Sequence, residues 1–141
     1  MTAGSCTLHK LIANLALFAR GQVLLVKYRD TGKHDQQSGW FLPDDLLTYL
    51  EHPDDAARRI SQQQLGVSQA PIRLGDIGSF TGSDGSWHLV FHYRADMEQL
   101  TDLKSSEDIA TAQWFPLEVL PPRREVAHHG WALKVIERLV N

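Results

Sequence analysis

A short segment of this chain carries a run of amide side chains on a predicted helix. Residues 54–67 read DDAARRISQQQLGV, which predicts a helix that Asp54 or Asp55 caps and that Gly66 ends. The alanines and Ile60 would face inward. Residues 62–64 are three consecutive glutamines. A glutamine offers an oxygen without charge, whereas Mg²⁺ is usually bound by carboxylates or phosphates, so this helix is a poor magnesium ligand.

Two further groups of side chains could bind a metal. Asp44 and Asp45 precede Glu51 in a polar stretch and could form a relocated cation site, or a polar turn in which Asp tolerates unusual backbone angles. His88 and His92 are four residues apart, on one face of a predicted strand. Two histidines could ligate Zn²⁺, but the sequence positions no third ligand, and a solvent-facing or ligand-facing pair is the alternative.

Charged residues at strand ends and in loops are candidates for acid–base chemistry and phosphate contact. Glu107 lies in a polar loop, where it could act as an acid or base or be solvated. Lys27 and Arg29 end the second predicted strand, next to the polar loop of residues 31–39. They could contact phosphates in a cleft, or be ordinary surface charges.

These residues must be positioned by strands and two well-separated helices. The second strand pair flanks GSDGS, a turn signal. Short extended pieces, WFLP and LLTYL, are expected on either side of Asp44 and Asp45. The first two strands are apolar enough to be buried on both faces. Together the pattern predicts a mixed sheet between helices, an α/β fold. The predicted strands are 11–19, 23–28, 71–81, 87–96 and 111–115, and the predicted helices are 54–65 and 130–140.

Composition limits the function classes. The chain has 141 residues, a net charge of −3 and 43% hydrophobic residues, which fits one globular domain. No basic excess predicts nucleic-acid binding, and no cationic amphipathic segment predicts a membrane surface. The single cysteine, Cys6, cannot form a disulfide within the chain, so a reducing cytoplasm is expected. We expect residues 1–10 to be flexible and residues 11–141 to form the domain.

The segment around the first helix resembles the Nudix hydrolase superfamily. That family's motif is Gly, five residues, Glu, seven residues, then Arg-Glu, an aliphatic residue, any residue, Glu-Glu, any residue, Gly and an aliphatic residue. Anchored on Gly66, this chain has Asp45 at the first position, Glu51 six residues later and Arg59 eight after that. The preceding GWFLP and the later AQWFPLEVLPP also resemble family segments, so the likeness runs from Leu11 to Leu139. It implies an α/β/α sandwich.

The departures from this motif bear on activity. In active members, the Glu after the Arg and the Glu-Glu pair bind the metal, and Ile60, Gln63 and Gln64 replace them here. The resemblance implies that these positions share one helical face, which now has no negative charge. Metal-dependent cleavage of a diphosphate should then fail. The family positions that remain are structural ones: Trp40, Pro43, Glu51, Arg59 and Gly66.

Two functions remain open at this point. The first is a non-catalytic or very weakly active protein that binds a nucleotide-like or other phosphorylated ligand, with no metal or cofactor. The alternative is a hydrolase of a nucleoside diphosphate linked to another group, dependent on Mg²⁺ or Mn²⁺ held by displaced acids. The resemblance also implies a homodimer. The ligand-contact candidates are Lys27, Arg29, Gln63, Gln64, His88 and His92, and the displaced acids are Asp44, Asp45, Glu51 and Glu107.

Overall fold

A computed structural model of the chain describes residues 8–100 and 102–140. The described residues form six strands and two α-helices around a mixed sheet. No helix among them is long and apolar enough to cross a membrane. The strands are β1 (His9–Ala19), β2 (Gln22–Tyr28), β3 (Asp44–Leu46), β4 (Ile72–Thr81), β5 (Trp87–Met97) and β6 (Ile109–Pro116), and the helices are α1 (Pro53–Arg59) and α2 (Ala127–Val140).

The sheet has the order β4-β5-β1-β2-β6. β1 is its centre, because it pairs in parallel with β5 along its whole length. On its other side β1 pairs antiparallel with β2 at the hairpin and with β3 further along. Arg20 and Gly21 turn the hairpin with φ values of 50° and 75°, the left-handed backbone that a two-residue hairpin loop needs. The two predicted hairpins, β1–β2 and β4–β5, are both formed.

Two apolar cores lie on opposite faces of the sheet, which confirms the predicted α/β/α sandwich. The first core joins alternate residues of β1 and β2 to α1, through Ala56, Ala57 and Ile60. The second joins the intervening residues of β1 and β2 to α2, through Val135 and Ile136 among others. Because both faces of β1 and β2 are covered, their apolar residues do not alternate with polar ones.

The first helix differs from its prediction at both ends. His52, not Asp54 or Asp55, provides the cap: its Nδ1 accepts a hydrogen bond from the Asp54 N–H, and a proline follows at the first helical position. The predicted α-helix to residue 65 is also wrong, because residues 60–64 form a π-helix. Gly66 ends the helix as expected, with a φ of 70°.

Three other segments differ from their predictions, in part or in full. Asp44 and Asp45 do not form a turn between extended pieces; they lie in β3. The predicted extended piece LLTYL instead contains a turn at residues 49–50, where Leu50 has a φ of 65°. β1 begins at His9, inside the segment predicted to be flexible. The rest of that prediction, residues 1–7 with Cys6, lies outside the described residues.

Candidate functional site

A cavity of about 320 Å³ opens beside the centre of the sheet. Its walls come from β1 and β5, the end of β4, the loop after β2, residues 40–46 and the start of α2. Aromatic rings dominate the lining: Phe41, Phe80, His128 and Trp131, with Phe80 and Trp131 packed at a centroid distance of 4.5 Å. Lys10 and Lys33, together with several aspartates, add charge to its lining. The cavity therefore offers ring faces and a few polar groups, as small-molecule sites do.

Asp35 joins three segments at the rim of this cavity. Its carboxylate accepts hydrogen bonds from the Ser83 N–H at 3.0 and 3.1 Å and from the Ser83 hydroxyl at 2.9 Å. The Nε2 of His128 lies 2.8 Å from its other oxygen. Burial alone would raise the pKa of Asp35, but the hydrogen bonds from Ser83 and His128 outweigh it and leave the pKa lowered. Asp35 is therefore an ionised residue whose hydrogen bonds link the loop after β2 to the β4–β5 turn and to α2.

The backbone at the start of α2 is left-handed over three residues. His128, His129 and Gly130 have φ values of 54°, 57° and 86°. Each non-glycine residue in this conformation costs about 1–2 kcal/mol, so surrounding contacts must hold it. Two such contacts exist, since the His128 N–H donates to the Gln37 side chain at 2.9 Å and the His128 ring bonds Asp35. This segment is a strained part of the cavity wall.

Gln64 is held in a hydrogen-bond network next to the cavity. Its amide NH₂ donates to the Asp44 carbonyl at 2.7 Å, and its amide oxygen accepts from the Tyr28 hydroxyl at 2.7 Å. The Tyr28 oxygen in turn accepts from the Asp44 N–H at 2.9 Å. Burial raises the pKa of Tyr28, which keeps its proton for this network. The Gln64 side chain is therefore committed to protein partners.

A histidine covers this network on the cavity side. The His34 ring stacks on Tyr28 with a centroid distance of 3.5 Å, and its Nδ1 lies 2.9 Å from an Asp44 carboxylate oxygen. Asp44, which was a candidate for a displaced metal ligand, is thus already engaged at both its backbone and its side chain.

The three positions that resemble the family's metal ligands differ in burial. Ile60 is 1% exposed and belongs to the core under α1, whereas Gln63 is exposed and Gln64 is half-buried. They lie in a π-helix, whose hydrogen bonds span five residues, and not in the predicted α-helix.

Arg59 engages two of the other candidate acids. Its Nε and Nη2 each donate to Glu51 at 3.0 Å, and its Nη1 donates to Asp45 at 2.5 Å. The bonds from Arg59 lower the pKa of Glu51, and the same bonds raise that of Arg59. This forked pair fixes α1 to the segment around β3.

The remaining candidate residues lie outside the cavity wall, except His88. Lys27 lies over the Trp40 ring at 4.7 Å, and Arg29 donates to the Glu107 carbonyl at 2.8 Å. Glu107 itself is exposed. The His92 Nδ1 is 2.8 Å from Asn14, and burial lowers the pKa of His92 to about 4. His88 and His92 do not converge on one ligand: His88 lines the cavity, and His92 is an internal hydrogen-bonding residue.

The architecture and motif match one family over nearly the whole chain. The model of the NUDIX domain family matches residues 8–139. The chain belongs to the Nudix family. No curated protein matches its sequence significantly.

Solved Nudix structures share the fold at low sequence identity. A MutT NUDIX hydrolase from Burkholderia pseudomallei superposes with a TM-score of 0.76 and 20% identity, over 94% of this chain and 98% of that one. A NUDIX hydrolase from Nitrosomonas europaea gives 0.73 and 21%, over 92% and 87%. The NUDIX domain of Shewanella oneidensis NrtR, complexed with ADP ribose, gives 0.74 and 18%, over 98% and 90%.

Sequence analysis missed several residues of the Nudix cavity. His34 and Asp35 were recognised only as part of a polar loop, and Phe80 and Trp131 were assigned no role at a site. An adjacent His-Asp pair in a loop that contains Gly and Ser was an available signal, because binding residues concentrate in such loops. The contacts of Asp35 with residues 48 and 93 positions away could not be read from local spacing.

Proposed function

We propose that this Nudix protein binds a nucleotide-like or other phosphorylated small molecule in its cavity and does not carry out the family's metal-dependent hydrolysis. The observation that carries this proposal is the environment of Gln64. Its NH₂ group donates to one backbone carbonyl and its oxygen accepts from a tyrosine. A carboxylate could not donate to that carbonyl, so the residue is suited to the network and not to a cation.

The other acids near the cavity have protein partners as well. Asp44 is paired with His34, and Asp45 and Glu51 are paired with Arg59. A displaced metal site would have to break these pairs. The pairing of these acids favours binding over hydrolysis, because diphosphate cleavage depends on cations that neutralise the phosphates.

The cavity has the chemistry for a planar, charged ligand. Its volume of about 320 Å³ lies within the range of small-molecule sites. The Phe80 and Trp131 rings offer contact surface for a flat group, and the ammonium groups of Lys10 and Lys33 offer charge for a phosphate. The Nudix domain of NrtR, which shares this fold, was crystallised with ADP ribose, so a nucleotide sugar is a reasonable first probe.

The test combines binding with a search for turnover. Isothermal titration calorimetry with ADP-ribose, ADP and AMP should detect saturable binding that persists with EDTA. Lys33→Ala should weaken it severalfold, while Lys134→Ala on the exposed side of α2 should leave it unchanged. Product analysis with Mg²⁺ or Mn²⁺ should detect no release of phosphate products.

The alternative is a hydrolase that uses displaced acids. Turnover at ordinary enzyme rates, abolished by a chelator and by Glu51→Gln or Asp44→Asn, would support that function and refute the binding proposal. A lack of binding by all probes together with a lack of turnover would also count against the proposal.

A further inference from the structure

We propose that Asp35, Asp84 and His88 form a binding site for one divalent transition-metal ion such as Zn²⁺ at the rim of the cavity, with His128 hydrogen-bonded to Asp35 beside it. This site is separate from the helix that carries the glutamines. It does not depend on whether the cavity binds a phosphorylated ligand.

Three side chains converge with spacings suited to a metal. Ligand atoms of Asp35, Asp84 and His88 all lie within 4.8 Å of one another. The Nε2 of His88 lies 3.9 Å from one Asp35 oxygen, and the other Asp35 oxygen lies 2.8 Å from the Nε2 of His128. Zinc bonds of about 2.0–2.1 Å in a tetrahedron place the ligand atoms roughly 3.3 Å apart. Small side-chain rotations would therefore bring the three ligand atoms around one ion, with water as a fourth ligand.

His88 presents one ring nitrogen to the two aspartates. Its side chain is 2% exposed, and its Nε2 lies 3.9 Å from an Asp35 oxygen. The same Nε2 lies 3.1 Å from the Ser86 hydroxyl, a contact that a metal bond would replace. His92, by contrast, is held through its Nδ1 by Asn14. A buried imidazole nitrogen beside two carboxylates is a suitable metal ligand.

Gly82 keeps space open between the prospective ligands. A Cβ at this position would lie 2.4 Å from the His88 Nε2 and 3.0 Å from an Asp35 carboxylate oxygen. Gly82 is not among the residues with positive φ, so its backbone does not require glycine. Glycine at this position leaves the space beside both ligand atoms free of a side chain.

The donor set selects the kind of ion. One imidazole with two carboxylates suits Zn²⁺ and related transition metals, whereas Mg²⁺ and Ca²⁺ prefer oxygen ligands alone. One protein charge opposes binding: the Lys10 ammonium lies 3.2 Å from an Asp84 oxygen. A bound ion would have to displace it or use the other oxygen of that carboxylate. Removing this ammonium should therefore strengthen metal binding.

A bound ion would link segments that only packing brings together. Asp35 lies in the loop after β2, Asp84 in the β4–β5 turn and His88 in β5, and Asp35 also bonds His128 in the strained turn that opens α2. All of these segments border the cavity, with Asp84 held to Lys10 in its wall. A bound metal ion would hold these segments together at the rim of the cavity and so control how a small molecule enters the cavity.

The test is metal titration of the full chain after chelator treatment. Competition between the protein and a chromophoric chelator for Zn²⁺ should give one tight site per chain. Co²⁺ in place of Zn²⁺ should give the visible absorption of a four-coordinate ion. His88→Gln and Asp84→Asn should each weaken the affinity about tenfold or more, because each removes a ligand. Lys10→Met should tighten it severalfold, and this variant removes no ligand, so its result does not depend on the folding of the others.

Controls separate this site from other metal-binding groups. His9→Gln alters an exposed histidine of β1, and Cys6→Ser removes the thiol near the start of the chain. Both variants should bind Zn²⁺ as the unmodified protein does. The proposal is refuted if no stoichiometric binding occurs, if the His88 and Asp84 variants bind normally while folded by circular dichroism, or if binding is lost in the Cys6 or His9 variant.

Discussion

Gln64→Glu gives the sharpest test of the hydrogen-bond network around Gln64. The substitution replaces the amide NH₂, which donates to the Asp44 carbonyl at 2.7 Å, with a carboxylate oxygen. The half-buried carbonyl would lose its donor and face a negative charge. An unsatisfied buried acceptor costs about 1–3 kcal/mol, and the repulsion adds to this, so we expect a loss of about 2–3 kcal/mol in the free energy of unfolding.

Gln63→Glu is the matched control, because it introduces the same charge one residue away on an exposed side chain. Its effect should stay within about 0.5 kcal/mol. Urea unfolding followed by tryptophan fluorescence measures both. With a slope of about 1–3 kcal/mol per molar urea, the midpoint of Gln64→Glu should fall by about 0.7–3 M at neutral pH.

The pH dependence adds a second check on the same variant. Once protonated, the introduced carboxyl group could donate to the carbonyl again, so the deficit relative to the unmodified protein should shrink as the pH is lowered. Equal midpoints for the Gln63 and Gln64 variants at neutral pH would refute the network. A rise in stability of Gln64→Glu on addition of Mg²⁺, absent from the unmodified protein, would instead show that the family's type of metal site is still accessible.

Three further predictions follow from buried and paired groups. Burial holds the pKa of His92 near 4 against an ordinary 6.5, so the unfolded chain takes up this proton first as the pH falls. The contribution of His92 to the unfolding free energy should be constant well above pH 6.5 and fall by about 3 kcal/mol by pH 4, so the unfolding free energy of His92→Gln should depend less steeply on pH in this range. Ile60→Glu puts a carboxylate at a 1% exposed core position, so the free energy of unfolding measured in urea should fall by more than about 3 kcal/mol. A soluble variant of normal stability would show that the helix can rotate. Arg59→Lys loses the forked hydrogen bonds to Glu51, so the free energy of unfolding should fall by about 1–2 kcal/mol in the same assay. The control Arg58→Lys alters an exposed ion pair and should lower it by less than about 0.5 kcal/mol. Equal losses would contradict the stabilising role of the forked bonds.

The sequence determined the features that depend on neighbouring residues. Apolar runs and turn residues placed the two hairpins within a few residues of their observed limits, and Gly66 marked the end of the first helix. The uncharged residues at positions 63 and 64 were also visible, because they need only residue types and a motif. Local periodicity and turn chemistry are fixed within a short window of chain, so they can be read without a structure.

Tertiary structure decided which residues distant in sequence contact one another. Packing buried Ile60 in the core under α1, and β3 placed Asp44 where its carbonyl accepts a hydrogen bond from Gln64. The junction of Asp35 with His128 joins residues 93 positions apart. Such contacts arise when strands and helices pack, and many sequences with the same local patterns would pack their loops differently. The cavity and its polar rim therefore followed from long-range packing, whereas the sheet and helices that carry them followed from the order of residues along the chain.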